Sequence, residues 1–264
     1  MDLQLKNKTA LVSGSTAGIG YAIAKQLAAE GAKVFINGRT QARVDTAVTQ
    51  IKAETGNSNV SGVACDFSRP EEITGLIAEI PEVDILINNV AIFEPKAFKE
   101  ITDEDWLRFY EMNVLSGVRL SRAYFDGMLK KNWGRIIFIS SESALQIPAE
   151  MIHYGVTKTA QLAIARGLAE LTRGTNVTVN SVLPGPTLSE GAGSFVKQVA
   201  VEQHKTEDEV KTEFFKTMRP TSLLQRFTTT DEVANMVTYL ASPLSSATNG
   251  AAIRADGGVV KSVI

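Results

Sequence analysis

Tyr154 and Lys158 stand four residues apart in the run His153-Tyr154-Gly155-Val156-Thr157-Lys158, and a helix would set both on one face. Such a pair can move a proton. A phenol with its ordinary pKa of about 10 is a poor acid or base at neutral pH. A neighbouring ammonium stabilises the phenolate, which predicts a lowered value. The same spacing also describes any half-exposed helix face, so the pair needs company to carry meaning. Thirteen residues before Tyr154, the apolar run RIIFIS leads into Ser140, Ser141 and, two further on, Ser143. The end of such a strand is where α/β folds place their active-site crevice. His153 is the rival acid or base, but adjacent helix positions diverge, which predicts that it points away.

These residues need a scaffold, and the sequence describes one. Short β-branched runs near 9–13, 33–37, 60–65, 84–88, 135–140, 177–183 and 251–255 alternate with helical patterns over 18–30, 41–55, 70–80, 105–131, 151–172 and 230–241. Thr230, with Asp231 and Glu232 behind it, reads as the cap of the last of these helices. Several strands are apolar almost throughout, as expected when helices cover both faces of a parallel sheet. The alternation predicts a doubly wound parallel α/β sheet in a single domain.

The first strand runs into Ser13-Gly14-Ser15-Thr16-Ala17-Gly18-Ile19-Gly20, which opens the first helix. Glycines there let the backbone approach a pyrophosphate, while helix N–H groups and the macrodipole supply positive potential. Ser15 and Thr16 add small hydroxyls. At the end of the second strand, where NAD-selective folds carry an acid for the ribose hydroxyls, this chain has Gly38 and then Arg39. A guanidinium can pair with a 2′-phosphate in a bidentate fashion, so NADP is favoured and NAD remains possible. Arg39 read as a solvated loop residue is the alternative. Ala17 offers no second charge.

The G-x-x-x-G-x-G spacing, the Tyr154/Lys158 pair and the order of the remaining motifs resemble the short-chain dehydrogenase/reductase family, including its 3-oxoacyl-acyl carrier protein reductase-like members, from about residue 5 to residue 260. The resemblance implies a seven-stranded Rossmann domain and an NAD(P)-dependent oxidoreductase that interconverts a carbonyl and a secondary alcohol. The family's thirteen-residue spacing selects Ser141 from its neighbours as the catalytic serine. Asn113, in the run MNV, matches the catalytic asparagine, which in the family anchors a water linking the lysine to solvent. Lys158 would also bond the nicotinamide ribose. For the cofactor, the resemblance implies Gly14, Ser15, Thr16, Gly18, Ile19, Gly20, Arg39, Asp66, Phe67, Asn89, Ala91, Tyr154, Lys158, Pro184, Gly185 and Thr187. Asp66 would contact the adenine, or else cap a turn.

Departures are local. Ser13 replaces a threonine, Val90-Ala91 replaces Ala-Gly after the paired Asn88 and Asn89, and Thr187 comes earlier after Pro184-Gly185 than in most relatives. Residues 186–229 are the least family-like and are expected to cover the substrate, with Phe195, Phe214, Phe215 and Met218 lining a pocket or simply burying short helices. Glu142, Gln146 and Met151 are placed near it. A catalytically silent nucleotide-binding sensor, or a dehydratase or epimerase on the same fold, is the alternative reading.

Composition sets bounds. With 264 residues, 44% hydrophobic and 21% charged, the chain can bury a large core. A net charge of -2, with both signs interspersed, gives no general reason to bind nucleic acid or anionic lipid, and favours a small-molecule substrate. Cys65 is the only cysteine and His153 and His204 the only histidines, so neither an internal disulfide nor a zinc site is expected. No signal peptide, transmembrane span or repeat is evident, and a cytoplasmic protein is expected. By resemblance the long helices pair subunits into a homotetramer or homodimer.

Overall fold

The computed structural model describes residues 2–263. Seven strands, β1 (Thr9–Val12), β2 (Lys33–Gly38), β3 (Val60–Ala64), β4 (Ile85–Asn88), β5 (Gly134–Ile139), β6 (Val177–Pro184) and β7 (Ala252–Ala255), form one sheet in the order β3-β2-β1-β4-β5-β6-β7. Every pair is parallel. Alternating side chains feed two cores, as the two-residue period of a strand requires. Ala10 and Val12 of β1, Ile85 and Ile87 of β4, and Ile137 and Ile139 of β5 face one side. Leu11, Leu86, Ile136 and Phe138 face the other. Burying each such aliphatic or aromatic chain stabilises the fold by roughly 1.5–3 kcal/mol.

The first face is covered by α1 (Gly18–Ala29), α2 (Gln41–Thr55) and α9 (Thr230–Ala241), the second by α3 (Pro70–Glu79), α5 (Ser116–Lys131) and α6 (Ile152–Glu170). The helical pattern over 105–131 resolves into α4 (Asp103–Tyr110), a π-helical stretch at Glu111–Leu115, and α5. The wider turn shifts register midway, which a single 3.6-residue period could not reveal. Likewise α9 is capped by Thr229, not Thr230. Thr229 Oγ1 accepts from Glu232 N, and Glu232 returns a bond to Thr229 N, closing a capping box. Residues 186–229 carry α7 (Glu190–Glu202) and α8 (Glu207–Thr217). No helix among the described residues is long and apolar enough to cross a membrane.

Candidate active site

The sheet changes winding direction between β1 and β4, and the crevice at such a switch point is where doubly wound sheets bind ligands. A cleft of about 430 Å³ opens there. Gly14, Thr16, Gly38 and Arg39 form one wall; Phe67, Asn89, Ala91 and Met112 line the other side. The glycine turn is held from behind. Asn37 Oδ1 accepts from Gly14 N at 3.1 Å, and Asn89 Nδ2 donates to the carbonyls of Ser13 and Gly14, both at 3.0 Å. Ser13 ties the turn to β4: Oγ donates to Ile87 O and accepts from Asn89 N.

The backbone is suited to a pyrophosphate. Gly14 and Gly18 have φ of 63° and 60°, left-handed values that favour glycine. A Cβ on Gly20 would meet Asn89 Nδ2 and Gly14 O, both at 2.5 Å. Ala17 gives α1 no side-chain cap and the first turn has no acid, so its N–H groups are left for a ligand. These features fit a dinucleotide. Ser15 contributes differently than expected. Its hydroxyl donates to Val12 O at 2.6 Å and accepts from Asn37 N, and it is fully buried, so it braces the turn instead of offering a free hydroxyl.

At the end of β2, a Cβ on Gly38 would lie 2.4 Å from Thr16 Cγ2, so the chain has no room for a carboxylate there without moving Thr16. Arg43, in the first turn of α2 and four residues after Arg39, also lines the cleft. A second arginine just inside the helix that follows β2 was the available signal. Asp66 spends Oδ1 on Ser68 N and Oγ, at 3.0 and 2.8 Å, capping the turn, while Phe67 beside it reaches the cleft. Thr187 Oγ1 is bonded within the fold, donating to Gly185 O at 2.9 Å and sharing a 2.9 Å bond with Thr228 Oγ1. Gly185 packs so closely on the C-terminal turn that a Cβ would meet Asp256 O at 2.4 Å. Pro184 ends β6 just before it.

Beyond the end of β5 the three serines separate by role. Ser140 Oγ donates to Lys158 O at 2.9 Å, pinning α6 to the strand. Ser143 Oγ donates to Glu142 Oε2. Ser141 is the serine that acts on the Tyr154 phenol, drawing its pKa down. Lys158 Nζ lies 5.6 Å from the Tyr154 ring centre and donates to Ile139 O at 2.8 Å. Asn113 sits within the π-helical stretch, where Oδ1 accepts from Ile92 N at 2.7 Å and Nδ2 donates to Ile92 O and Thr157 Oγ1. Gln161, which sequence reasoning passed over, joins these groups. Its Nε2 donates to Asn113 O at 2.5 Å and its Oε1 lies 3.4 Å from Lys158 Nζ. A glutamine three residues after the lysine on one helix face was the signal.

Charge at the pair differs from the expectation. Burial pushes the Tyr154 phenol above its ordinary range, with Ser141 acting against it, and burial pulls Lys158 down to about 7. Desolvation drives each group toward its neutral form. His153 turns away as predicted, fully buried with its ring centre 4.0 Å from that of Phe109. In the covering segment, Phe214, Phe215 and Phe227 cluster with ring centres 5.0–5.2 Å apart, whereas Phe195 and Met218 are exposed.

A parallel sheet wound in this order around a glycine-turn cleft is that of the dinucleotide-binding oxidoreductases. Within them, the chain belongs to the short chain dehydrogenase family, whose sequence model matches residues 8–200. It is 50% identical to the uncharacterised oxidoreductase YvaG of Bacillus subtilis, over all of both chains. It is 32% identical to the D-beta-hydroxybutyrate dehydrogenase of Cupriavidus necator, covering 97% of this chain and 99% of that one. Among solved structures, L-sorbose reductase of Gluconobacter frateurii in complex with NADPH and L-sorbose superposes with a TM-score of 0.94, at 29% identity and with both chains fully covered. The protein is accordingly an NAD(P)-dependent oxidoreductase of CH–OH and C=O groups.

Proposed function

We propose that the protein is an NADP(H)-preferring oxidoreductase in which Tyr154 is the general acid and base, Ser141 holds the reacting oxygen, and Lys158 sets the charge around the phenol. The observation that carries this reading is the convergence of Ser141 and Tyr154 beyond the end of β5, where Ser141 draws the phenol pKa down, with Lys158 Nζ 5.6 Å from the tyrosine ring centre. The nicotinamide, when bound, supplies or accepts the hydride at the substrate carbon. In reduction Tyr154 gives its proton to the substrate oxygen; in oxidation the phenolate takes it back. Lys158 is positioned by Ile139 O and Gln161, and Gln161 is positioned by Asn113. The Asn113 side chain ties the 92 loop to α6 through Ile92 and Thr157.

Arg39 and Arg43 on the cleft wall, together with the lack of space for an acid at Gly38, support NADP over NAD. Nicotinamide absorbance, followed with NADPH and NADH over a panel of ketones and alcohols, tests the reading. A higher kcat/KM is expected with NADPH. Tyr154→Phe should lower kcat by about 10²–10⁴-fold, the usual contribution of a positioned acid or base, while leaving NADPH affinity nearly unchanged. Turnover surviving in Tyr154→Phe would remove the tyrosine from its role.

A further inference from the structure

A buried ion pair stands beside Ser141. Ser141 Oγ lies 2.7 Å from Glu142 Oε2, and Glu142 Oε1 accepts from Arg219 Nε at 2.8 Å. Arg219 reaches in from the covering segment, and its Nη1 donates to Glu150 Oε1 at 3.1 Å. Glu142 and Arg219 are only 4% and 8% exposed, and Glu150 is half-buried. The order of these groups gives the cluster a polarity. Glu142 stands between the serine and the guanidinium, so the negative end of the pair faces Ser141. The Tyr154 phenol feels the same order, since Glu142 raises its pKa more than Arg219 lowers it. With two carboxylates against one guanidinium, the cluster also carries a net charge of -1.

The neighbouring cations are engaged elsewhere. Lys96, whose backbone N–H donates to Glu150 O, has its ammonium on Asp105. Lys158 donates to Ile139 O, and burial draws it toward its neutral form. Phe93, largely exposed with its ring centre 6.4 Å from that of Tyr154, is an apolar neighbour of the phenol. Distance makes the negative end matter to a ligand. A substrate oxygen held by Ser141 at hydrogen-bond length is at most about 6 Å from Glu142 Oε2. A carboxylate attached to the reacting carbonyl, directly or through one carbon, is then within about 10 Å of Glu142. In protein surroundings two like charges at that range repel strongly, and after the partial offset by Arg219 the repulsion corresponds to about a tenfold loss of affinity. An uncharged ketone meets no such repulsion.

We propose that Glu142, oriented by Arg219 and joined by Glu150, is a specificity-determining residue that makes the site select uncharged ketones and alcohols and reject keto acids and hydroxy acids. The inference rests on Ser141 and Tyr154 being the reacting site. Arg219 as a receptor for a substrate carboxylate predicts the opposite order, yet its Nε and Nη1 are already held by carboxylates.

The test uses ligands that differ in charge and barely in shape: pyruvate against pyruvamide, and acetoacetate against acetoacetamide, with NADPH saturating. Each is measured as a substrate and as a competitive inhibitor of the best ketone from the panel. In the unaltered enzyme the amide should be favoured by about tenfold in kcat/KM or in inhibition constant. In Glu142→Gln, which removes the charge and keeps the size, that preference should fall by about fivefold or more, through tighter binding of the keto acid. Glu150→Gln, at the half-buried carboxylate, should lower it by about twofold. A loss of packing alone would weaken keto acid and amide together and leave their ratio where it was. Equal constants within both pairs overturn the inference, whether the compounds bind well or not at all. A preference for the keto acid also overturns it, and would make Arg219 the anion receptor. An unchanged ratio in folded Glu142→Gln does the same; if that variant does not fold, the ratios in Glu150→Gln and in the unaltered enzyme decide. Should Tyr154→Phe remain active, the reading of the site itself is wrong; should it be inactive while the ratios stay level between variants, only the role of Glu142 is lost.

Discussion

The titratable residues of the α6 entry show how burial separates neighbours. His153 and Tyr154 are adjacent, yet Tyr154 meets Ser141 while His153 lies among Phe109 and Trp106 with neither ring nitrogen bonded. Burial lowers the His153 pKa, against the pull of Asp105 and Glu94 in the other direction. The folded protein therefore binds its proton less readily than the unfolded chain, whose histidine titrates near 6.5. Its contribution to stability is fully present above that value and is lost as pH falls below it toward the folded pKa. Urea midpoints measured from pH 7.5 to 5 should thus decline, with a slope from this residue approaching about 1.4 kcal/mol per pH unit. In His153→Phe, which keeps an aromatic ring beside Phe109, that part of the slope should disappear. An identical slope in the variant would assign the acid sensitivity to the carboxylates instead. The sequence alone indicated that His153 would diverge from Tyr154. It could not show that desolvation drives Tyr154 and Lys158 each toward the neutral form, because burial is set by elements far apart in the chain.

At the level of elements, the seven strands were legible because both faces of the sheet are covered, leaving uninterrupted β-branched runs such as Ile85–Asn88 and Gly134–Ile139. Helix ends were less so. Two threonines in succession, Thr229 and Thr230, satisfy the same capping preference, and only the reciprocal bonds of Glu232 distinguish them. Glu232 is further held by Arg226 through two bonds of 2.7 and 2.9 Å, which keep its carboxyl down at about 2. Thr229→Ala should therefore cost about 1 kcal/mol, the usual loss for an N-cap, and lower the melting temperature by roughly 2–4 °C for a chain of this size. Thr230→Ala, at the first helical position, should cost much less. Equal losses in calorimetry would move the cap back to Thr230. The π-helical stretch around Asn113 was hidden for a related reason: an extra residue in one turn leaves the apolar spacing on both sides intact.

Across the whole molecule, the lining of the cleft was written locally and the Glu142–Arg219 pair was not. The glycine turn, Arg39 and Asn89 each follow a strand within a few residues, so sequence order places them. Arg219 reaches Glu142 from 77 residues away, and nothing in the local pattern of α8 announces it. Arg43 falls between these cases, visible once α2 begins at Gln41. Because a ligand bound only by the folded state stabilises it by RT ln(1 + [L]/Kd), whole-molecule stability reports on this wall without any knowledge of substrate. NADPH should raise the melting temperature more than equimolar NADH. A charge-assisted bond to the 2′-phosphate contributes about 1.5–3 kcal/mol, so losing one weakens affinity tenfold or more. Arg43→Ala and Arg39→Ala should each remove about 1.4 kcal/mol of the NADPH stabilisation at saturating nucleotide, one tenfold step in Kd, while leaving that of NADH within a few tenths. Arg43 is tied only loosely in the free protein, 3.8 Å from Glu190 with both side chains largely exposed, so its removal should leave the nucleotide-free melting temperature unchanged. Equal losses for NADPH and NADH would mean that the two arginines serve the shared pyrophosphate and not the 2′-phosphate, and the preference for NADP would then have no basis in this wall.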